Sequence, residues 1–261
     1  MPAAVYKKNC NMEKILIQKY WYNVPATTGT NIYTYTFKSD EMYKFLCGIA
    51  CPLATSLPTA REIKIELRDD YKSILSFSPV QNWCKNTASV DYDLTNVFRP
   101  LAVESAGKNF YLNVKVTDSA AAFSFVALFR QCNEKQNINI FGVDVAGYDM
   151  QSFTIKEAVL GVIYNINLPS DYNAVMGINF VGGDTANINF LALDINDNVK
   201  NLLDAVPVSI LKITENQDYN KTFFPVQFES KNKQVNIRLT ALQQIANYTP
   251  ADVTVTFLLV R

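Results

Sequence analysis

The acidic side chains Glu62, Glu66, Asp69, Asp70, Asp91 and Asp93 are the candidate acid–base groups of this sequence. A glycosidic bond is cleaved between two carboxyl groups, one giving up a proton and the other assisting as base or nucleophile, and such a pair needs no histidine. Glu62 and Glu66 are an even number of residues apart, so on a strand they share a face, and Asp69-Asp70 follow in a turn. Solvated surface charge is the simpler reading of all six, because spacing along a chain does not set the separation in space that cleavage requires.

Other chemistry is narrower still. The chain has 0 His, which removes imidazole acid–base catalysis, Ser/His/Asp and Cys/His arrangements and histidine-ligated zinc. The 5 cysteines, Cys10, Cys47, Cys51, Cys84 and Cys132, are an odd set, read as reduced and buried. Cys47 and Cys51 have a spacing that suits a strand turning a corner and have no second pair to complete a metal site. Asp194, Asn196, Asp197 and Asn198 are oxygen-rich enough to admit calcium but lack the twelve-residue loop pattern. Gly182-Gly183-Asp184 lacks the lysine and further glycine of a phosphate loop and reads as a hairpin turn. Tyr33, Tyr35, Trp83 and Tyr92 are candidate stacking surfaces for a sugar ring.

These residues must be held by a substantial fold. With 261 residues, 49% hydrophobic content and 18% charged residues, the chain can bury a real core. Lys plus Arg total 24 and Asp plus Glu total 24, so no dominant phosphate-binding surface is expected, and no specific nucleic-acid binding. The run Ile15-Leu16-Ile17 is far short of a signal core and no long apolar span occurs, so a soluble protein made without an export address is expected.

Apolar residues recur mostly with period two, the mark of strands with one buried face. Ile32–Phe37, Phe45–Ile49, Ile63–Leu67, Ser73–Phe77, Phe110–Val116 and Phe123–Phe129 form a first series. After the polar stretch 131–137 come Phe153–Ile155, Val159–Ile166, Ala174–Phe180, Ile188–Leu193, Val208–Ile213, Val235–Leu239 and Val253–Val260. Helical signals are few: a turn over Asp40–Phe45, a short helix over Asp197–Ala205, and a turn or two over Thr240–Ala246.

The series repeats itself. Phe98-Arg99-Pro100, Glu104-Ser105, Lys108-Asn109 and Asn113-Val114-Lys115-Val116-Thr117 align with Phe223-Phe224-Pro225, Glu229-Ser230, Lys231-Asn232 and Asn236-Ile237-Arg238-Leu239-Thr240 once two residues, Ala106-Gly107, are dropped. Upstream, Ser73-Ile74-Leu75 resembles Ser209-Ile210-Leu211, and Ile63-Lys64-Ile65 resembles Ile188-Asn189-Phe190. The prolines lack an amide donor and belong in crossing loops or at strand entrances. The Glu-Ser pairs read as loop anchors. Two tandem β-sandwiches are expected, over 22–131 and 137–261, with a connection at 132–136 and residues 1–21 serving as an arm or as a strand closing the first sandwich.

The paired segments Phe98–Thr117 and Phe223–Thr240, with the terminal strands ending at Arg130 and Arg261, give the chain an architecture that resembles the double jelly-roll major capsid proteins of membrane-containing icosahedral bacteriophages. The resemblance implies an all-β fold of two eight-stranded jelly rolls, and a non-enzymatic homotrimer without cofactor that meets neighbouring capsomers, minor capsid proteins and an internal viral membrane. It implies a place in the virion, reached from the host cytoplasm. Trp21, Trp83, Phe98, Pro100, Glu104, Phe223, Pro225 and Glu229 are the expected structural or interface residues, with no catalytic or metal-binding residue. The alternatives are a carbohydrate-binding sandwich and an auxiliary, decoration or spike-base protein of a virion.

Overall fold

The computed structural model describes residues 15–86, 98–184, 186–212 and 222–261, the side chains of 84–86 excepted. They divide into two compact units, one through Gly147 and one from Tyr148 onward.

In the first unit the strands are β1 (Leu16–Val24), β2 (Thr27–Lys38), β3 (Phe45–Leu53), β4 (Ala60–Asp69), β5 (Ser73–Pro79), β6 (Cys84–Asn86), β7 (Arg99–Glu104), β8 (Asn109–Ser119) and β9 (Phe123–Cys132). One sheet runs β1-β9-β3, with β7 and the short β6 both pairing with β3, and the other runs β2-β8-β4-β5. Apart from β6, every pairing is antiparallel. A small hairpin, β10 (Ile138–Ile140) and β11 (Val143–Val145), closes the unit.

The second unit holds β12 (Tyr148–Ala158), β13 (Ile163–Asn167), β14 (Ala174–Gly182), β15 (Leu191–Asn196), β16 (Asn201–Pro207), β17 (Phe224–Glu229), β18 (Gln234–Ala241) and β19 (Ala251–Val260). Its sheets run β12-β19-β14-β17 and β13-β18-β15-β16. Strand for strand this is the order of the first unit. Both units are eight-stranded jelly rolls, the first with β6 added, and the fold is all-β.

Alternation makes each sandwich. Val114 and Val116 on β8 and Ile63, Ile65 and Leu67 on β4 are buried, as are Val235, Ile237 and Leu239 on β18 and Leu191, Leu193 and Ile195 on β15. The first core is aromatic: Phe37 stacks on Phe110 and Phe129, and Tyr22 packs against Tyr35 and Phe125. The second is mainly aliphatic around Phe257.

Several expectations change. Residues 16–21 form the first part of β1, paired in register with β9. The boundary between the units falls after Gly147, because the hairpin β10-β11 groups with the first. No helix spans Asp197–Ala205: Asp197 caps a turn and Asn201–Pro207 pairs with β15. Thr240–Ala246 holds the end of β18 and irregular turns. Val208–Leu211 is a single helical turn instead of a strand, because Pro207 starts it and Val208 and Leu211, three apart, bury one side. Val159–Gly161 forms a turn before β13, and Ile188–Phe190 is a 3-10 turn before β15. Gly182-Gly183 makes no hairpin, since β14 and β15 lie in different sheets. Both glycines have positive φ, and a Cβ on Gly182 would sit 2.4 Å from the Asp252 carbonyl oxygen.

Candidate functional site

The repeated residues fall at equivalent places in the two jelly rolls. Pro100 and Pro225 are each the second residue of an end strand, opposite Gly48 and Gly177, and each pairing carries a register shift beside that glycine. A Cβ on Gly48 would lie 3.1 Å from the Phe98 Cβ. Phe98 and Phe223 are buried just before these strands. In both units a proline at the strand entrance faces a glycine at a register shift, and in the first unit that glycine leaves room for Phe98.

The Glu-Ser corners close by the same bonds. The Ser105 amide donates to the Lys44 carbonyl and the Ser230 amide to Asn173, at 2.8 and 3.0 Å. The Ser105 and Ser230 hydroxyls donate to the carbonyls of Tyr43 and Tyr172, at 3.5 and 2.9 Å. The amides of Lys108 and Lys233 return to the serine carbonyls, and their Nζ atoms reach Glu104 and Glu229. Lys108 therefore corresponds to Lys233, and no residues are missing between the halves.

That anchor shifts the sequence alignment by two residues on β8 and β18. Counted from the corner, Asn113 corresponds to Arg238, and each faces an acid: Asn113 Nδ2 donates to Glu66 at 2.8 Å, and Arg238 donates to Asp194 at 2.9 Å. A slip of two keeps every side chain on its face, which is why alternation alone did not expose it. The register likewise matches Ile63–Ile65 with Leu191–Leu193 and Ser73–Leu75 with Asn201–Leu203. Pro79 and Pro207 then both lead into a helical turn.

The candidate acids are engaged in this framework. Glu62 bridges Lys64 at 2.6 Å and Lys115 at 2.9 Å. Desolvation is the largest single influence on its carboxyl and pushes its pKa up, but the hydrogen bonds and charges of Lys115 and Lys64 together outweigh it and hold the group below the usual carboxylate range. Asp69 accepts the amides of Tyr71 and Lys72 and closes the β4–β5 turn, and Asp70 accepts the Tyr111 hydroxyl. Asp197 closes the equivalent β15–β16 turn, accepting from Lys200 and Val199, with Lys233 at 3.3 Å. The amide of Lys200 is the main cause of its lowered pKa. Asn196 and Asn198 both accept from Asn236, so the oxygens considered for calcium already have partners within the chain. Asp91, Asp93 and Tyr92 lie outside the described residues.

Tyr33 and Tyr35 share the inner face of β2 with buried Phe37, and Trp83 is buried with its indole N–H on Ser78 at 2.7 Å. The three described members of the proposed sugar platform thus face inward or are buried. Trp21 is 58% exposed on β1. Cys47, Cys51 and Cys132 are buried, and burial pushes the Cys47 thiol up and the Cys51 thiol to about 12, which suits inert core residues. Among the described residues no group of three or more His, Cys, Asp or Glu is arranged to hold a metal ion, and no helix is long and apolar enough to cross a membrane.

A second shared pattern lies in the sequence unread: Tyr43, Gly48 and Ile49 have the spacing of Tyr172, Gly177 and Ile178. The glycines serve the bulges opposite the prolines, and the tyrosine carbonyls receive the serine hydroxyls.

No family model and no curated protein matches the chain. Among solved structures, PNGase F, a glycosylasparaginase from Flavobacterium meningosepticum, is 11% identical with a TM-score of 0.44, covering 95% of this chain and 96% of that one. The major capsid protein P2 from Bacteriophage PM2 is 9% identical with a TM-score of 0.43, over 93% of this chain and 98% of that one. The PBCV-1 virus capsid is 9% identical with a TM-score of 0.37, over 97% and 86%. At such values these likenesses decide neither activity nor assembly: one of the three is an enzyme and two are coat proteins, and their functions remain theirs.

Proposed function

We propose that this chain is a structural subunit of a virion shell, a major capsid protein whose homotrimer forms a pseudo-hexagonal capsomer. The observation that carries the reading is the identical strand order of the two jelly rolls, with matched proline, glycine and serine anchors. A chain holding two like modules, arranged about a threefold axis, gives six like modules in a ring, and such a ring tiles a surface by symmetric contacts. We read the matched halves as an internal duplication and the function as residing in complementary surfaces, without turnover, cofactor or specific nucleic-acid contact. In support, all four described candidate acids are committed to hydrogen bonds or ion pairs within the framework.

Trp21, exposed on an edge strand, is the side chain we place at a subunit contact, since exposed aromatics supply large area at little entropic cost. Phe98, Pro100, Glu104, Phe223, Pro225 and Glu229 shape the modules that meet. Neighbouring capsomers, minor capsid proteins and an internal membrane are the partners of this reading, and the virion is its location. Cryo-electron microscopy preceded by native mass measurement tests it: trimers that grow into closed shells are expected, and a stable monomer with a reproducible hydrolytic turnover overturns it.

A further inference from the structure

Sheet edges expose unpaired backbone donors and acceptors, and natural edge strands are blunted by prolines, charges, bulges or shortness. Nearly every edge here is treated in that way. β7 and β17 carry Pro100 and Pro225 as their second residues; β5 and β16 end in Pro79 and Pro207 and carry register shifts; β12 carries Lys156 and Glu157 at its own shift; β1 carries Lys19; β13 is 5 residues long.

The exception is β2. Among the described residues it pairs with β8 alone, at the end of its sheet. From Thr27 to Phe37 it has no charged residue and no proline. Its single register shift lies between Thr27 and Thr30, and from Thr30 to Lys38 the pairing with β8 is unbroken. The sequence Ile32-Tyr33-Thr34-Tyr35-Thr36-Phe37 consists wholly of β-branched and aromatic residues, the types that suit a sheet. Ile32, on the outer face, is 56% exposed.

We propose that the free edge of β2 is an interface that pairs antiparallel with β2 of a second copy of this chain, about a twofold axis. An identical partner is favoured because the stretch is self-complementary: it lacks charge, so two copies brought edge to edge meet no like-charge repulsion. An antiparallel pair centred on Thr34 sets Ile32 opposite Thr36 on the outer face and Tyr33 opposite Tyr35 on the inner face, joining aromatic with aromatic and β-branched with β-branched. The contact is isologous and uses one strand per copy, so it closes at two chains and does not run on as a fibre. It requires two copies of the chain and no other component, and stands whether or not the coat reading holds.

The test uses the full chain with single cysteines introduced as Thr30→Cys, Ile32→Cys, Thr34→Cys and Thr36→Cys, under mild oxidation. A disulfide-linked dimer that peaks at one of the four positions is expected, since only a residue on the twofold axis faces itself. Ile32→Lys, which changes an exposed side chain, is expected to weaken self-association at least tenfold in sedimentation equilibrium while the far-UV circular dichroism spectrum is unchanged, and Ile32→Thr is expected to retain it. Native β2 amides are expected to be protected from hydrogen exchange in the dimer and to lose that protection in the lysine variant. Equal crosslinking at all four positions, no crosslinking at any, or association unmoved by Ile32→Lys overturns the proposal, as does β2 protection that appears only when another protein is added.

Discussion

The two jelly rolls share a strand order and differ in what fills and faces them. In the first, Phe37, Phe110 and Phe129 stack at the centre, whereas the second packs Ile, Leu and Val around Phe257. On the outer face both hold an acid of the inner strand against a donor of its neighbour, Glu66 with Asn113 and Asp194 with Arg238. Farther along the first sheet stand Glu62, Lys64 and Lys115, where the second has Phe190, Ala192 and Thr240 at the positions counted from the shared turn. The framework is thus set by corners, prolines and glycines, while core chemistry and facing charge are free to diverge. What is common to both halves is structural, and what is particular to one half is where specialised contacts are to be sought.

The sharpest break of this comparison is in the cores. Phe129→Ala removes one member of a buried aromatic stack and is expected to cost about 3–5 kcal/mol. Phe257→Ala costs a similar amount if the aliphatic core relaxes no better. Denaturant unfolding followed by fluorescence and by far-UV circular dichroism checks this. Two separated transitions, each moved by only one of the substitutions, would show the units to be independently cooperative; a single transition moved by both would join them.

Next comes the charge cluster of the first half. Lys64 and Lys115 lie directly across from one another, a placement that repels, and Glu62 neutralises both. Glu62→Gln leaves two lysines facing each other and is expected to cost about 1–2 kcal/mol, the worth of hydrogen bonds to a charged group discounted for partial exposure. Because the folded-state pKa of Glu62 is depressed, its contribution is fully present above its ordinary value of 4.5 and is lost as pH falls through the folded value. The stability of the native chain should therefore fall more steeply on acidification below that value than that of Glu62→Gln. Parallel acid limbs in urea titrations at several pH values would remove the cluster from the account of acid stability.

The strands were largely legible because a half-buried strand writes its period into the sequence, as Ile63–Leu67 and Phe123–Phe129 do. Short apolar runs beside proline were not: Val208-Ser209-Ile210-Leu211 suits one face of a strand and one side of a helical turn equally, and Pro207 decides between them. The corners were legible as repeated Glu-Ser pairs, yet their alignment slipped by two, since a strand tolerates an even shift without moving a side chain to the wrong face. The role of Glu62 was not legible, because Lys115 reaches it only through the pairing of β4 with β8 across the intervening chain.

The smallest expected effect tests the corners themselves. The Ser230 hydroxyl donates to the Tyr172 carbonyl at 2.9 Å, whereas the Ser105 hydroxyl is 3.5 Å from Tyr43, at the limit of a useful bond. Both serines are buried. Ser230→Ala is expected to cost about 1 kcal/mol, the net worth of one internal hydrogen bond, and Ser105→Ala less than half of that. The backbone bonds of both corners survive either change, so Tm should move without loss of fold, measured by differential scanning calorimetry. Equal losses at the two serines would mean that the corners are energetically as alike as their backbone bonds, and that the divergence of the halves is confined to the core and the outer charge.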